Sequence, residues 1–251
     1  MLSGVPNFRD AGGYATRSGA TVRTGVLFRS GRPIHATADD VATLDRLGVS
    51  TLVDLRWPDE RSRHPTGPWS HRLEVIATDV GGDSDPWPVF LRESDLSAAT
   101  LDGYMRRFYA GAAFEERHVD LFTRYFAALA AGRGALLVHC TGGKDRTGLL
   151  VALTHHLLGV HRDDILADYV ATNHHWPYER HGADVAAALA AGHGRATPDE
   201  DAVRVVMEVR PDLLDLAFDA IIDRHGSVDT YLERQLGATP AVRDQIVARL
   251  T

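Results

Sequence analysis

One stretch of this chain, residues 134–159, constrains the fold more than any other. Gly134 is followed by the apolar run Ala135 to Val138, which is typical of a short buried strand. Residues 149–158 contain neither proline nor glycine and predict a helix that ends at Gly159. A glycine-containing loop joins the strand to the helix, so backbone N–H groups and the positive end of the helix dipole converge on one point. The loop is therefore predicted to bind an anion.

The same loop contains the only cysteine of the chain, Cys140, and its only lysine, Lys144. All other side chains counted as Lys or Arg are arginine, so a lysine at this position indicates a need for a compact ammonium on a flexible stem. Arg146 lies beyond Cys140 with five residues between them, so its guanidinium can face the thiol across a bound phosphate. Converging N–H groups and basic neighbours favour the thiolate, which is a nucleophile.

These residue types predict attack of Cys140 on phosphorus, formation of a phosphocysteine, and then attack of water. Thr147 is expected to donate its hydroxyl to the thiolate or to assist the second step, and His139 to support the loop from behind. Two alternatives from other classes stay open: a rhodanese-type sulfurtransferase and a non-catalytic phosphoprotein-binding module. The flanking His139 and Thr147 favour phosphate chemistry over sulfur transfer, and binding alone does not require a reactive thiol.

The loop resembles the His-Cys-x-x-Gly-Lys-Asp-Arg signature of the bacterial tyrosine-phosphatase-like family. The resemblance covers most of the chain, because weaker motifs of that family occur in the expected order. These motifs are Asn7-Phe8-Arg9-Asp10 with Gly12-Gly13, Val26-Leu27-Phe28-Arg29-Ser30, Val53-Asp54-Leu55-Arg56 with Glu60, residues 165–173, and residues 226–237. The resemblance implies a single cysteine-phosphatase-like catalytic domain over residues 1–251, without a metal or another cofactor. It implies phosphotyrosine as a substrate, and in some members phosphoserine, phosphothreonine or phosphoinositides.

Carried over by position, the resemblance assigns roles to individual residues. Cys140 is the nucleophile and Arg146 the phosphate clamp, Asp145 is a functional group of the loop, and the substrate-binding residues are Thr141, Gly142, Gly143, Lys144 and Thr147. Asp54 is the candidate general acid, because it ends the apolar strand of residues 50–53 where strand termini meet ligands. Its alternative role is that of a structural partner for Arg56 or for a nearby backbone amide. Asp145 is also a candidate to position water or to orient Lys144. The later carboxylates Asp79, Asp83 and Asp85 are expected to be solvated.

Strand and helix signals alternate along the chain, which predicts an α/β fold with a mostly parallel sheet covered by helices. At 251 residues the chain is within the range of one large domain. Within residues 174–210, an Ala-rich helix over residues 178–191 is interrupted at Gly192-His193-Gly194, and a second helix is predicted to start at Thr197-Pro198. The resemblance implies that this hairpin is a lid over the active site; the alternative is a fixed surface hairpin.

Charge and composition exclude several other classes. A net charge of −7 argues against non-specific binding to nucleic acid or to an anionic membrane. With one cysteine the monomer forms no disulfide, which fits a reducing compartment. Residues 1–10 lack a signal pattern, and no segment is apolar enough to span a membrane, so we expect a cytoplasmic protein, export without a signal peptide staying open. The family resemblance implies a phosphorylated protein or a phosphoinositide as its partner.

Overall fold

A five-stranded sheet lies at the centre of the part of the chain that the computed structural model describes, residues 2–191 and 197–251. The strands occur in the order β1-β2-β5-β3-β4, and β1 alone runs antiparallel to its neighbour. Their bounds are β1 Arg9–Asp10, β2 Leu27–Ser30, β3 Val49–Asp54, β4 Glu74–Ile76 and β5 Ala135–His139. The predicted α/β architecture with a mostly parallel sheet is confirmed.

Helices lie between most of the strands, and every strand or helix that the described ranges contain after β5 is a helix. Their bounds are α1 Ala38–Arg46, α2 Pro58–Arg63, α3 Pro86–Glu93, α4 Ala98–Ala112, α5 Glu116–Ala131, α6 Asp145–Leu157, α7 Arg162–His175, α8 Tyr178–Ala191, α9 Glu200–Met207, α10 Pro211–His225, α11 Val228–Arg234 and α12 Pro240–Leu250. No helix in the described ranges is both long and apolar enough to cross a membrane.

Both faces of the sheet are covered, because successive side chains of a strand point to opposite faces. In β5, which is buried along its whole length, Leu136 and Val138 join the larger core with α4, α5 and α6. Leu137 points the other way and packs with Phe28 and Leu44 in a smaller core beside α1. The parallel strands β2, β5 and β3 end at one edge, where Ser30 and Asp54 both pair with His139. Ligands of α/β sheets bind at this edge, and the loop that follows β5 lies there.

Two elements differ from the prediction. The segment expected to be a long loop contains α3, which begins at Pro86 with Asp85 as its N-cap; the pairing of an N-cap residue with proline at the first helical position was the missed signal. Helix α6 begins at Asp145 rather than near residue 149, so Arg146 and Thr147 lie on its first turn. The catalytic loop is therefore shorter than expected, and the helix N-terminus is closer to Cys140.

The helical hairpin predicted within residues 174–210 consists of α8 and α9, while its proposed glycine break, Gly192 to Gly194, lies outside the described residues. Helix α9 begins at Glu200 with Asp199 as its N-cap, later than the predicted start at Pro198. The hairpin packs on α3 and α4 through the buried side chains Leu189, Val203 and Met207.

Candidate active site

The loop between β5 and α6 is held tightly against the end of β2. Gly143 has a φ of +67°, which a residue with a side chain rarely adopts. A Cβ atom at Gly143 would lie 2.3 Å from the backbone carbon and oxygen of Ser30. Glycine is therefore required at this position both by the backbone conformation and by the close approach of a neighbouring strand.

Three consecutive carbonyl groups of the loop accept hydrogen bonds from the side of β1 and β2. The carbonyl of Thr141 accepts from the backbone N–H of Arg32 at 3.0 Å. The side-chain amide of Asn7 donates to Gly142 at 3.2 Å and to Gly143 at 2.9 Å, and Arg29 Nη2 donates to the Gly143 carbonyl at 2.9 Å. These donors fix the direction in which the loop carbonyls point.

Arg146 is held by Glu60, a residue to which the sequence analysis gave no catalytic role. Arg146 Nη1 and Nη2 donate to the two carboxylate oxygens of Glu60 at 2.6 and 3.0 Å. Glu60 also accepts a hydrogen bond from the hydroxyl of Thr141 and one of 2.8 Å from the Trp57 N–H. Burial alone would raise the pKa of Glu60, but the Arg146 charge and these hydrogen bonds hold it well below its usual value. The guanidinium is thereby fixed at one end of the loop.

Cys140 is buried at the end of β5, with 2% of its surface exposed, and is a free thiol. Burial lowers the pKa of Arg146, but the charges of Glu60 and Cys140 outweigh it and raise that pKa. Cys140 directly follows β5 and Arg146 lies on the first turn of α6, so the predicted nucleophile and the predicted phosphate clamp lie at the two ends of one loop. Thr147 is fully buried on the first turn of α6, and its hydroxyl has no partner within the described residues. Gly142 and the side chains of Thr141 and Lys144 are half-buried in the same loop.

The two charged residues that follow the glycines form a pair. Lys144 Nζ lies 3.2 Å from Asp145 Oδ1. The same oxygen accepts a hydrogen bond of 2.8 Å from the hydroxyl of Tyr109, which in turn accepts one of 2.6 Å from Tyr169. Both tyrosines are buried and come from α4 and α7. The carboxylate of Asp145 is thus fixed by a chain of two hydroxyl groups.

Asp54 lies beneath the loop in an ion pair with Arg56. Its carboxylate accepts hydrogen bonds from Arg56 Nε at 2.9 Å, from Arg56 Nη2 at 2.7 Å and from the Arg56 backbone N–H at 3.0 Å. Burial raises the pKa of Asp54, but the charges of His139 and Arg56 and these hydrogen bonds outweigh it and lower that pKa. A carboxylate with these partners is a poor proton donor, so the geometry favours the structural role of Asp54 over that of general acid.

His139 lies directly behind the nucleophile. Its Nδ1 donates a hydrogen bond of 3.0 Å to the carbonyl of Cys140, and its Nε2 is 3.7 Å from Asp54 Oδ2. Burial lowers the pKa of His139 and outweighs the opposite effect of the nearby Asp54 carboxylate. His139 therefore contacts the backbone carbonyl of the predicted nucleophile, and its supporting role stays a prediction.

Asp85 was expected to be solvated together with Asp79 and Asp83. Asp79 and Asp83 are exposed, but Asp85 is half-buried, and its charge interacts with those of Glu60 and Arg146. Burial and the Glu60 charge raise the pKa of Asp85. Burial likewise raises the pKa of Glu115, whose charge also interacts with that of Arg146. Of these two carboxyl groups, Asp85 lies in the loop before α3 and Glu115 precedes the first residue of α5.

The described ranges contain no cluster of three or more His, Cys, Asp or Glu side chains that could hold a metal ion. The adjacent histidines of α6 and α7 have other surroundings. Nε2 of the buried His155 donates a hydrogen bond of 2.7 Å to the carbonyl of Ala11, and the ring of His174 packs against that of His175.

A model of the tyrosine phosphatase family matches residues 1–251. A Cupriavidus necator protein with a provisional tyrosine-protein phosphatase name is 36% identical over 235 residues, which is 92% of this chain and 82% of that protein. The triple specificity protein phosphatase PtpB of Mycobacterium tuberculosis is 33% identical over 71% of each chain. A tyrosine-protein phosphatase of Nostoc commune is 30% identical over 69% of this chain and 55% of its own length.

Proposed function

The chain belongs to the tyrosine phosphatase family, and from this we propose that it hydrolyses phosphate monoesters by a phosphocysteine mechanism, with phosphotyrosine as its first substrate class. The observation that carries the proposal is that Glu60 holds both terminal nitrogens of Arg146, the arginine that closes the loop beginning at Cys140. An oriented guanidinium stabilises charge that develops on the phosphoryl oxygens only if its position is fixed before the reaction.

In the first step, the thiolate of Cys140 attacks phosphorus, an S–P bond forms, and the P–O bond to the leaving group breaks. Arg146 and the loop N–H groups, including those of Gly142 and Gly143, bind the phosphoryl oxygens. In the second step the hydroxyl of Thr147 donates a hydrogen bond to the sulfur as the S–P bond breaks. In that step water attacks phosphorus and loses a proton to the carboxylate that protonated the leaving oxygen in the first step, and inorganic phosphate leaves with the thiolate and that acid restored.

We propose Asp85, in place of Asp54, as the acid that protonates the leaving oxygen. A general acid must hold a proton near the operating pH and lie near the reacting group. Asp85 is half-buried, has a raised pKa and interacts with Arg146, whereas the carboxylate of Asp54 is occupied by Arg56. Gly81 and Gly82, both with positive φ, precede Asp85 in its loop and allow the loop to adjust to a substrate.

We propose Asp145 as the group that orients Lys144 and the attacking water of the second step. Its Oδ1 is supported by Tyr109 and lies 3.2 Å from Lys144 Nζ, so both its position and its partner are fixed. The ammonium of Lys144 then adds positive charge beside the phosphate site without the rigid fork of an arginine.

We further propose that residues 1–251 form one catalytic domain in which residues 174–210 act as a lid. Opening the lid would separate Leu189, Val203 and Met207 from the side chains of α3 and α4, so we expect opening to be coupled to substrate binding. We propose a phosphorylated protein as the partner and the cytoplasm as the location, because a lone nucleophilic cysteine must remain reduced to act.

The deciding experiment is hydrolysis of an aryl phosphate by the wild type and by Cys140→Ser, with chelator present. We expect turnover without metal that falls by roughly three orders of magnitude in the variant, ~4 kcal/mol of barrier. Equal turnover by both proteins, or none by the wild type, would reject the mechanism. Transfer of sulfur from thiosulfate to cyanide, or binding of a phosphopeptide without turnover, would then identify the alternative class.

A further inference from the structure

The carbonyl groups of the catalytic loop that accept hydrogen bonds from Asn7 and Arg29 determine where the N–H groups of the loop point. A peptide unit is planar, and its C=O and N–H bonds point in opposite directions. The carbonyls of Gly142 and Gly143 point to Asn7 and Arg29, so the N–H groups of Gly143 and Lys144 point away from β2. Because the anion site of the loop is formed by such N–H groups, the donors behind the loop set its geometry.

Those donors are themselves held by one carboxylate in α7. Asp168 accepts a hydrogen bond of 2.5 Å from Arg29 Nη1 and one of 3.3 Å from Arg9 Nε. Arg29 has none of its side chain exposed and Asp168 only 3%, so neither charge is balanced by water. Arg9 also binds the Asp168 carbonyl at 2.9 Å and the side-chain oxygen of Asn7. One buried carboxylate thus supports two arginines, of which Arg29 contacts the loop directly and Arg9 contacts it through Asn7.

Asn7 is the member of this group that contacts both Arg9 and the loop. Its backbone has a φ of +55°, a left-handed conformation that asparagine adopts more readily than most residues. In this conformation its Oδ1 accepts from Arg9 while its Nδ2 donates to Gly142 and Gly143. The two hydrogen-bonded ends fix the orientation of the amide, and a residue without both a donor and an acceptor cannot replace it.

We propose that Asn7, Arg29 and Asp168 are positioning residues that turn the amides of Gly143 and Lys144 toward the phosphoryl group, which rests on the proposed function of the loop. None of the three is expected to contact the substrate. Their effect is preorganisation, since amides fixed by the protein need no rearrangement when charge develops on the phosphoryl oxygens. The resemblance supplied the motifs that contain these residues but no role for them.

The first test variant is Asn7→Gly, since glycine adopts the left-handed backbone without strain and lacks the amide. The matched control is Asp215→Asn, which removes another ion pair of α7, between Arg162 and a half-exposed Asp215 on α10. For Asn7→Gly we expect kcat on an aryl phosphate to fall about tenfold to a hundredfold, as for misplaced groups in an active site. We expect the control to keep the wild-type kcat and both proteins to keep the wild-type circular dichroism.

A second readout does not depend on turnover. Inorganic phosphate is titrated calorimetrically into Cys140→Ser, with and without Asn7→Gly. We expect the added substitution to weaken phosphate binding at least fivefold. Wild-type kcat together with wild-type phosphate affinity in the Asn7→Gly proteins would overturn the inference. An inactive wild type would reject the proposed function, while the phosphate titration would still test the positioning of the amides.

Asn7→Asp separates positioning from packing. The substitution keeps the size of the side chain and an acceptor for Arg9 but puts an oxygen where the amide donates to Gly143. We expect phosphate affinity and kcat to fall at least as far as in Asn7→Gly, with a folded protein by circular dichroism. If Asn7→Asp retains both values, the side chain only fills space.

Discussion

Glu60 binds Arg146 through both carboxylate oxygens, although the two residues are 86 positions apart in the chain. The pair connects α2, which follows β3, to α6, which follows the catalytic loop. Only 13% of the Arg146 side chain and 9% of the Glu60 side chain are exposed, so the guanidinium is held in a largely dry environment. The guanidinium of Arg146 is therefore oriented by Glu60 before substrate binds.

Replacement of Glu60 by glutamine is expected to lower kcat on aryl phosphates by roughly tenfold to a hundredfold, because the guanidinium loses its fixed direction. Stability to urea is expected to fall by up to about 3 kcal/mol, since a charge-paired, mostly buried group is lost. Asp120→Asn, which breaks an exposed pair with Arg124, is the control and should leave both quantities nearly unchanged. Wild-type kcat in Glu60→Gln would remove Glu60 from the catalytic machinery.

Asp85→Asn is expected to lower kcat on phenyl phosphate by about a hundredfold or more, and by much less on a nitrophenyl phosphate, whose leaving group needs little protonation. Burial and the charge of Glu60 raise the pKa of Asp85, and a general acid acts while protonated. The wild-type rate should therefore fall as the pH rises through that pKa, and the variant should lose this decrease. Asp83→Asn, exposed in the same loop, is the control. Loss of the decrease in Asp54→Asn instead would return the role to Asp54.

Tyr109→Phe is expected to slow hydrolysis of the phosphocysteine about tenfold, because Asp145 loses the hydroxyl that holds its carboxylate. Rapid mixing should then show a burst of phenol before the steady state. Tyr125→Phe is a matched control, since Tyr125 is equally buried and its hydroxyl bonds to Thr154, away from the loop. Both variants should lose about 1–2 kcal/mol of stability, but a burst in both would contradict a specific role for Tyr109.

Gly143→Ala is expected to abolish phosphate binding and to cost roughly 2–4 kcal/mol in urea unfolding, because the new Cβ would overlap the backbone of Ser30 and φ is positive. Gly142→Ala is the control, since its Cβ would meet only Lys144 Cγ, at 3.7 Å. We expect the Gly142→Ala protein to keep most of the wild-type free energy of unfolding. Equal losses in the two variants would show that the contact with β2 is unimportant.

Acid should weaken the fold through Asp168. Burial raises its pKa, but Arg29 and Arg9 outweigh burial and lower the pKa from 3.8 to about 2. A carboxylate with a lowered folded-state pKa stabilises the protein above pH 3.8, and this contribution disappears as the pH falls toward 2. It corresponds to about 2 kcal/mol. Urea unfolding at several pH values measures it, and Asp168→Asn should show a flatter dependence between pH 4 and 2; an unchanged slope would assign the acid sensitivity to other groups.

Much of the fold and the centre of the site could be predicted from the sequence. Strand β5 and the middle of helix α6 contain uninterrupted apolar runs. Only five residues separate Cys140 from Arg146, so one short segment must position both side chains. Family membership confirms that the loop belongs to a phosphatase. These features are local in the chain, so local periodicity and spacing indicate them.

The partners of the loop could not be predicted in the same way. The chain has many carboxylates, and nothing local in the sequence distinguishes Glu60, Asp85 or Asp168 from the others. Only the folded structure shows that Glu60 binds Arg146, that Asp85 is half-buried and that Asp168 pairs with Arg29. Asp54 was the opposite case: its position at a strand end suggested chemistry, but the nearby Arg56 occupies its carboxylate. The position of a residue at a strand end predicts its place in the sheet but does not predict which charged side chain will pair with it.

The supports behind the catalytic loop also have a consequence for the order of folding. The hydrogen bonds from Asn7 to Gly142 and from Arg29 to Asp168 join residues 135 and 139 positions apart. Contacts between residues so far apart in the chain require closure of a long loop, which costs entropy. They are therefore expected to form later than the local hydrogen bonds of the helices. During synthesis the ribosome releases the catalytic loop before it releases Asp168. Recovery of activity after dilution from denaturant should therefore lag behind recovery of helical circular dichroism, which makes the enzyme a reporter of its own last folding step.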